Sequence, residues 1–239
     1  MAVVASCALG GLTACRAEPS VAAYVGDSRI TESRVQAIWD DARAKLTAEA
    51  RTAAQAGGTG TATMPISRAD IVSVLVGRNL ITKVAEKHGV TMPAGLTYDN
   101  VASVVGLPAT TEYVHLFTEY NALQDAVKQA ETGTAALSDE DWQDVLQRLS
   151  ENGTVDAGTT VESLRSTLPD TVTTQLQSAI AVRDEVTAVA GTQSIQINPR
   201  YAPLEIGVYP IRNSETSPLY QLVVAPLGED TAVPVDDVS

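Results

Sequence analysis

Apolar residues recur along most of this chain at the three- and four-residue spacing that is typical of helices with one buried face. The first such helix is predicted over residues 33–55. Its apolar face carries Val35, Ile38, Ala42 and Leu46. Thr31 precedes the helix as an N-cap, a position whose side chain accepts a hydrogen bond from a free amide of the first turn. Residues 21–30 predict two short strands joined by a tight turn at Gly26.

The second predicted helix is the most apolar one. It begins after the cap residue Ser67, ends at Gly89 and carries apolar residues around most of its circumference. A helix of this kind is covered on all sides, so we expect it at the centre of the fold. Further helices are predicted over residues 96–106, 111–131, 138–149, 161–168 and 170–190.

The periodicity changes from helical to alternating towards the end of the chain. Strands are predicted over residues 194–198, 204–211 and 219–225, with a turn at residues 198–201. The pattern as a whole predicts a mainly α protein of the α+β class, in which several helices are accompanied by a small antiparallel β element.

Length indicates the number of domains, and net charge argues against one class of partner. A chain of 239 residues suits one domain or a small pair of domains with a substantial core. The net charge is −13 and only 16 residues are lysine or arginine, which argues against nucleic acid as a partner. The sequence has no run of about 18 apolar residues, so no transmembrane helix is predicted.

Both cysteines lie within the first fifteen residues. The segment Leu12-Thr13-Ala14-Cys15 fits the bacterial lipobox, in which a small residue precedes a cysteine that is acylated on its thiol and becomes the new N-terminus. We therefore expect residues 1–14 to be a lipoprotein signal peptide, although they lack the usual basic start. Residues 15–20 would then be a tether from the lipidated Cys15 to the folded domain. The alternative is an apolar N-terminal helix with a chance cysteine.

The strand–turn–helix entry resembles the start of the SurA-like chaperone domain of bacterial envelope foldases. The matching residues are Val21-Ala22, Val25, Ile30-Thr31 and Val35. Gly26-Asp27 departs from the pattern, because the glycine stands one place earlier than in the Asn-Gly pair common in that family. Residues 84–91, at the end of the apolar helix, and residues 138–142 are also similar to the family, in the same order. Residues 197–201 resemble an ending of its lipid-anchored actinobacterial members, with Ala202 in place of a glycine.

This resemblance implies a SurA-like chaperone domain over residues 21–227, closed by a β element that the N- and C-terminal segments form together. In the foldases a parvulin-type prolyl isomerase domain follows the multi-helix part. Here residues 152–160 supply only a short loop at that place, so we expect the isomerase to be missing. Residues 228–239 are acidic and contain proline, which predicts a disordered tail.

The sequence offers few residues for catalysis. The two histidines, His88 and His115, have no partner at metal-ligand spacing. The glycine-rich residues 57–61 lack the lysine and the flanking strand of a phosphate-binding loop. We therefore predict no catalytic, metal-binding or cofactor-binding residues, no cofactor and no enzymatic activity.

Binding of other polypeptides is the function that the resemblance implies. Four aromatic residues are candidates for a client groove, namely Tyr113, Phe117, Tyr120 and Trp142. The same residue types are also typical of a buried core, and both interpretations stay open. Extended clients would either pair with an exposed strand edge or lay apolar side chains in a groove between helices.

These features together predict an extracytoplasmic chaperone of the holdase type, without prolyl isomerase activity. We expect it to be anchored by its N-terminal lipid to the outer face of the cytoplasmic membrane and to bind unfolded or exported polypeptides. The alternative is a structural or adaptor lipoprotein that binds one specific envelope partner. An enzyme would need a pocket with convergent polar groups.

Overall fold

The computed structural model describes residues 19–57, 62–130, 136–212 and 219–227. Within these ranges the strands are β1 (Val21–Val25), β2 (Ser28–Thr31), β3 (Ile195–Ile197), β4 (Leu204–Ile211) and β5 (Tyr220–Leu227). The helices are α1 (Glu32–Gln55), α2 (Arg68–Lys87), α3 (Asp99–Val105), α4 (Glu112–Ala130), α5 (Asp139–Glu151), α6 (Val161–Thr167) and α7 (Asp170–Thr192). The predicted mainly α architecture of the α+β class is confirmed.

Side-chain caps fix the starts of helices α1, α2 and α5. The Thr31 hydroxyl oxygen accepts a hydrogen bond from the Arg34 amide at 3.2 Å, as the sequence predicts for the start of α1. Ser67 and Ser138 begin α2 and α5 with complete capping boxes, in which the aspartate three residues later also accepts from the cap residue's own amide. These three helices therefore begin at the residues that the sequence indicates.

The apolar helix α2 lies at the centre of the fold. It packs against α1, α4 and α7 and against strands β1 and β4. Its fully buried residues are Ile71, Val72, Val76, Leu80, Ile81 and Val84. Because these neighbouring elements cover most of the apolar residues of α2, those residues stay out of water, which confirms the predicted central position.

Strands β2, β1 and β3 form one antiparallel sheet in that order. In it Ile195 lies opposite Val25, and Ile197 lies opposite Ala23, so the end of the chain returns to the N-terminal hairpin. Asn198 strengthens this closure, because its side-chain amide donates to the Val21 carbonyl oxygen at 3.0 Å. The predicted β element of N- and C-terminal segments is therefore present.

The last two strands form a second sheet that the sequence pattern does not predict. Strands β4 and β5 pair only with each other, as an antiparallel hairpin. The physical reason is burial, since Leu204, Ile206 and Val208 of β4 are almost fully covered. The hairpin packs on α2 and α7, so its apolar face is covered by helices and not by the first sheet.

Several predictions fall on the ends of the chain. Cys15, the signal peptide of residues 1–14, most of the tether of residues 15–20 and the tail of residues 228–239 lie outside the described residues. Within the part of the chain that the structure describes, none of the helices is both long and apolar enough to cross a membrane.

Candidate functional site

A cavity of about 970 Å³ lies between α2, α3 and α4 on one side and the β4–β5 hairpin on the other. We call it the helix–hairpin groove. Its walls include Tyr113, Phe117 and Tyr120 from α4, and Val104 from the end of α3. The opposite wall is formed by residues of the hairpin, among them Glu205 and Arg212. The groove is thus lined by aromatic, aliphatic and charged side chains from distant parts of the sequence.

Three of the four aromatic candidates come together on one wall of the groove. The rings of Tyr113 and Phe117 have centroids 5.9 Å apart, and those of Phe117 and Tyr120 are 6.3 Å apart, both pairs stacked. The two tyrosines are 5% and 4% exposed, whereas Phe117 is only half-buried. The tyrosines therefore belong to the core and to the groove wall at once.

The fourth candidate, Trp142, does not line the groove. It lies on α5, is 7% exposed and is covered by the Arg165 guanidinium at 5.4 Å from its ring centroid. The prediction that groups Trp142 with the other three aromatic residues therefore needs correction. The physical reason is that α5 packs against α6 and β5, and this places the indole ring in a different part of the core.

Side chains of α2 and α4 cover the outer edge of β4. The Ser73 hydroxyl donates to the Glu205 carbonyl oxygen at 2.6 Å. The Gly207 carbonyl oxygen accepts from the Tyr120 hydroxyl at 2.5 Å and from the Gln124 amide at 2.9 Å. These bonds occupy the carbonyl oxygens that an added strand would use. The outer edge of β4 is thus less available for pairing with a further strand.

Tyr113 and Tyr120 are both buried, and burial affects the pKa of their hydroxyl groups. It raises the pKa of the Tyr113 hydroxyl, and the nearby Asp70 carboxylate raises it further. Burial alone raises the pKa of the Tyr120 hydroxyl. A tyrosine hydroxyl is already protonated at neutral pH, so the raised pKa does not change its charge there, and the Tyr120 hydroxyl donates to the Gly207 carbonyl oxygen. In the described ranges no three His, Cys, Asp or Glu side chains form a group that could hold a metal ion.

The sequence pattern does not predict the contacts of two residues, Gln124 and Gly77, that position the walls of the groove. Gln124 is a polar residue that is only 3% exposed, and it is held by the Gly207 carbonyl. Gly77 allows α2 to approach Tyr120 and Ile206 closely. A glycine inside an otherwise apolar helix is a signal of such close packing, but the sequence does not say which element makes the contact.

Asp41 on α1 fixes the start of α4 and hence the position of its aromatic wall. One carboxylate oxygen accepts from the Glu112 amide at 2.8 Å, and the other pairs with the Lys45 ammonium at 2.6 Å. Lys45 also donates to the Thr110 carbonyl oxygen at 2.8 Å. Partial burial alone would raise the pKa of Asp41, but the Lys45 and Glu112 hydrogen bonds outweigh it and hold the pKa below its usual value.

This arrangement makes the stability contributed by Asp41 depend on pH. Because the pKa of Asp41 is lower in the folded than in the unfolded state, its charge stabilises the fold above about pH 4. That stabilisation is lost as the pH falls through the folded-state pKa. We expect Asp41→Asn to lower the free energy of unfolding by about 1 kcal/mol at pH 7. Urea unfolding at pH 7 and pH 3 tests this, because the difference from the wild type should shrink at pH 3. An equal difference at both pH values would contradict the role of the charge.

The motifs that carry the resemblance to the SurA-like family lie at the boundaries of elements. They comprise the β1–β2 hairpin with the start of α1, the end of α2, the start of α5, and the segment of β3 and the turn after it. Comparisons of the chain with protein-family models, with curated proteins and with solved structures gave no match.

Proposed function

We propose that this protein is a lipid-anchored, extracytoplasmic chaperone that holds extended segments of unfolded or exported polypeptides in the helix–hairpin groove. The observation that carries the proposal is the groove itself, with its volume of about 970 Å³ and its aromatic wall of Tyr113, Phe117 and Tyr120. The lipid anchor at Cys15 and the absence of prolyl isomerase activity belong to the same proposal, and both rest on the sequence.

The dimensions of the groove suit an extended chain. Glu205 and Arg212 both line it and stand seven residues apart along one side of the hairpin. At about 3.4 Å per residue this separation is at most roughly 24 Å, because the register shifts between Gly207 and Pro210 shorten the strand, and it corresponds to an extended segment of up to about seven residues. The volume is at the upper end of the range of about 300–1,000 Å³ for small-molecule pockets. An extended polypeptide segment is therefore compatible with the size of the groove.

The lining is suited to clients that differ in sequence. The half-buried Phe117 and the exposed Val104 offer apolar contact, which depends on the area that is buried and little on the identity of the client side chain. The side-chain amide of Asn121, which lines the groove and is only partly buried, can bond a client main chain. This combination supports binding of many unfolded chains.

The test is suppression of aggregation by the full chain, measured by light scattering with several chemically unfolded model proteins. We expect protection of unrelated clients at near-equimolar ratios. If no client is protected, the holdase proposal is overturned. Selective binding of one envelope protein, without protection of the others, would instead establish the alternative of an adaptor lipoprotein.

A matched pair of variants tests whether the groove is the binding site. Val104 and Met92 are the large hydrophobic residues that are exposed in the described ranges, at 37% and 39%. Only Val104 lines the groove. We expect Val104→Gln to weaken binding of an unfolded client by about fivefold, since part of the apolar area buried by the client is lost. Met92→Gln should bind as the wild type does. Fluorescence anisotropy with a labelled, permanently unfolded protein measures both, and equal affinities of the two variants would place the binding site elsewhere.

A further inference from the structure

The helix–hairpin groove carries charges of opposite sign at its two ends. Glu205 stands at the start of β4, and Arg212 follows the last residue of that strand. Arg212 is turned towards α3, where its guanidinium donates to the Val104 carbonyl oxygen. Glu205 is turned towards α5, where its carboxylate accepts from the Arg148 guanidinium at 2.9 Å. Among the described residues, the charged side chains that line the groove are Asp70, Glu205 and Arg212, and Glu205 is already paired with Arg148.

The negative end of the groove continues onto the surface of α5. Glu140, Asp144 and Glu151 fall on the same side of this helix as Arg148, because they are separated from one another by four, seven and eleven residues. We call these three residues the α5 acidic stripe. Asp144 is 42% exposed beside Arg148, and Glu140 and Glu151 are exposed. Since Arg148 contacts both Asp144 and Glu205, the stripe begins where the groove ends.

The segment of residues 139–170 is rich in acidic side chains, although Asp141 is paired with Arg183 of α7. Residues 139–170 contain eight carboxylates and only two guanidinium groups, although the chain as a whole is less one-sided, with 29 acidic and 16 basic residues. Charges attract an opposite charge over about 8 Å at physiological ionic strength. A ligand that leaves the groove past Glu205 therefore enters a region of negative potential.

We propose that the preferred ligand of the groove is an extended polypeptide segment with an apolar centre and a basic flank. The apolar centre lies against the aromatic wall, and the lysine or arginine side chains of the flank lie over the α5 acidic stripe. This inference rests on the proposed function and adds to it the class of client and the direction in which the flank leaves the groove. Charge complementarity selects this occupant, because an acidic flank in the same place would face Glu205 and the stripe.

The experiment compares labelled peptides that share one apolar seven-residue centre, Ala-Leu-Phe-Ser-Val-Leu-Ala. Three lysines or three glutamates are added at either the N-terminus or the C-terminus, and binding to the full chain is measured by fluorescence anisotropy. We expect the better lysine peptide to bind about tenfold more tightly than the better glutamate peptide in 50 mM salt. The preference should fall several-fold in 500 mM salt, because exposed charges are screened.

A triple variant separates the stripe from the overall charge. Glu140→Gln, Asp144→Asn and Glu151→Gln keep the side-chain shape and one acceptor oxygen each but remove three charges, and this variant should lose most of the preference for lysine. The control is Asp27→Asn, Glu49→Gln and Glu86→Gln, which removes three exposed carboxylates that do not line the groove. We expect the control to keep the preference.

The possible outcomes distinguish this inference from the proposed function. Equal binding of the lysine and glutamate peptides would overturn the charge preference and leave polypeptide binding intact. An equal loss of preference in both triple variants would overturn the role of the stripe and show that net charge alone is responsible. If none of the four peptides binds while unfolded proteins are protected, the inference fails and the holdase proposal stands. If no peptide binds and no client is protected, both fail.

Discussion

Gly77→Val is expected to lower the free energy of unfolding by about 2–3 kcal/mol. A methyl group at Gly77 would lie 3.0 Å from a ring carbon of Tyr120 and 3.1 Å from a side-chain carbon of Ile206. Both neighbours are buried in the closely packed centre of the fold, where side chains have little room to move. Valine adds two further carbons beyond that methyl group, so β4 or α4 must shift away from α2. Chemical denaturation in urea, followed by circular dichroism, measures the loss.

The matched control for this prediction is Gly191→Ala in α7. A methyl group at Gly191 meets no atom of the described residues within 4 Å, and the glycine is exposed. Alanine favours the helical backbone over glycine, so the free energy of unfolding should rise by about 0.5 kcal/mol near this helix end. If Gly77→Val were as stable as the wild type, the close approach of α2, α4 and β4 would be wrong.

Tyr120→Ala is expected to have the largest effect on stability, a loss of about 4 kcal/mol. Tyr120 is 4% exposed and stands where α2, α4 and β4 meet. Removing its ring leaves a cavity beside Gly77 and also removes the hydroxyl that donates to the Gly207 carbonyl oxygen at 2.5 Å. Because this residue joins the aromatic wall to the hairpin, the variant should also lose binding of unfolded clients.

Tyr120→Phe separates the two contributions of this side chain and remains measurable if Tyr120→Ala does not fold. It keeps the ring but not the hydroxyl. Gln124 still donates to the Gly207 carbonyl oxygen at 2.9 Å, so that oxygen keeps a partner. The expected loss is about 1 kcal/mol in the same urea experiment. A loss as large as that of Tyr120→Ala would show that the hydrogen bond, and not ring packing, holds the hairpin.

Local signals in the sequence account for most of the secondary structure. Hydrophobic spacing together with the caps Thr31, Ser67 and Ser138 predicts the helices α1, α2 and α5 that follow them, and Pro169 marks the boundary between α6 and α7. These signals work because a capped amide or a fixed proline angle depends on residues a few positions apart. The structure therefore agrees with the sequence wherever the interaction is local.

The helix–hairpin groove could be predicted only in part. The spacing of Tyr113, Phe117 and Tyr120 puts them on one side of α4, and this is a property of any helix. Nothing in the same pattern shows that the β4–β5 hairpin faces them, or that Trp142 lies elsewhere. Those positions depend on contacts between residues that are far apart in the sequence, such as the bond from Tyr120 to Gly207, which spans 87 residues.

The sequence by itself determined which segments are helices and strands, which face of each is apolar, and that the chain is strongly acidic. The tertiary structure decided that β4 and β5 form a sheet of their own, that side chains cover the outer edge of β4, and that Glu205 leads onto the acidic surface of α5. The physical reason is that periodicity states which side of an element avoids water, whereas the covering partner is chosen by the packing of the whole chain. The groove between α4 and the hairpin therefore results from the tertiary packing of the chain.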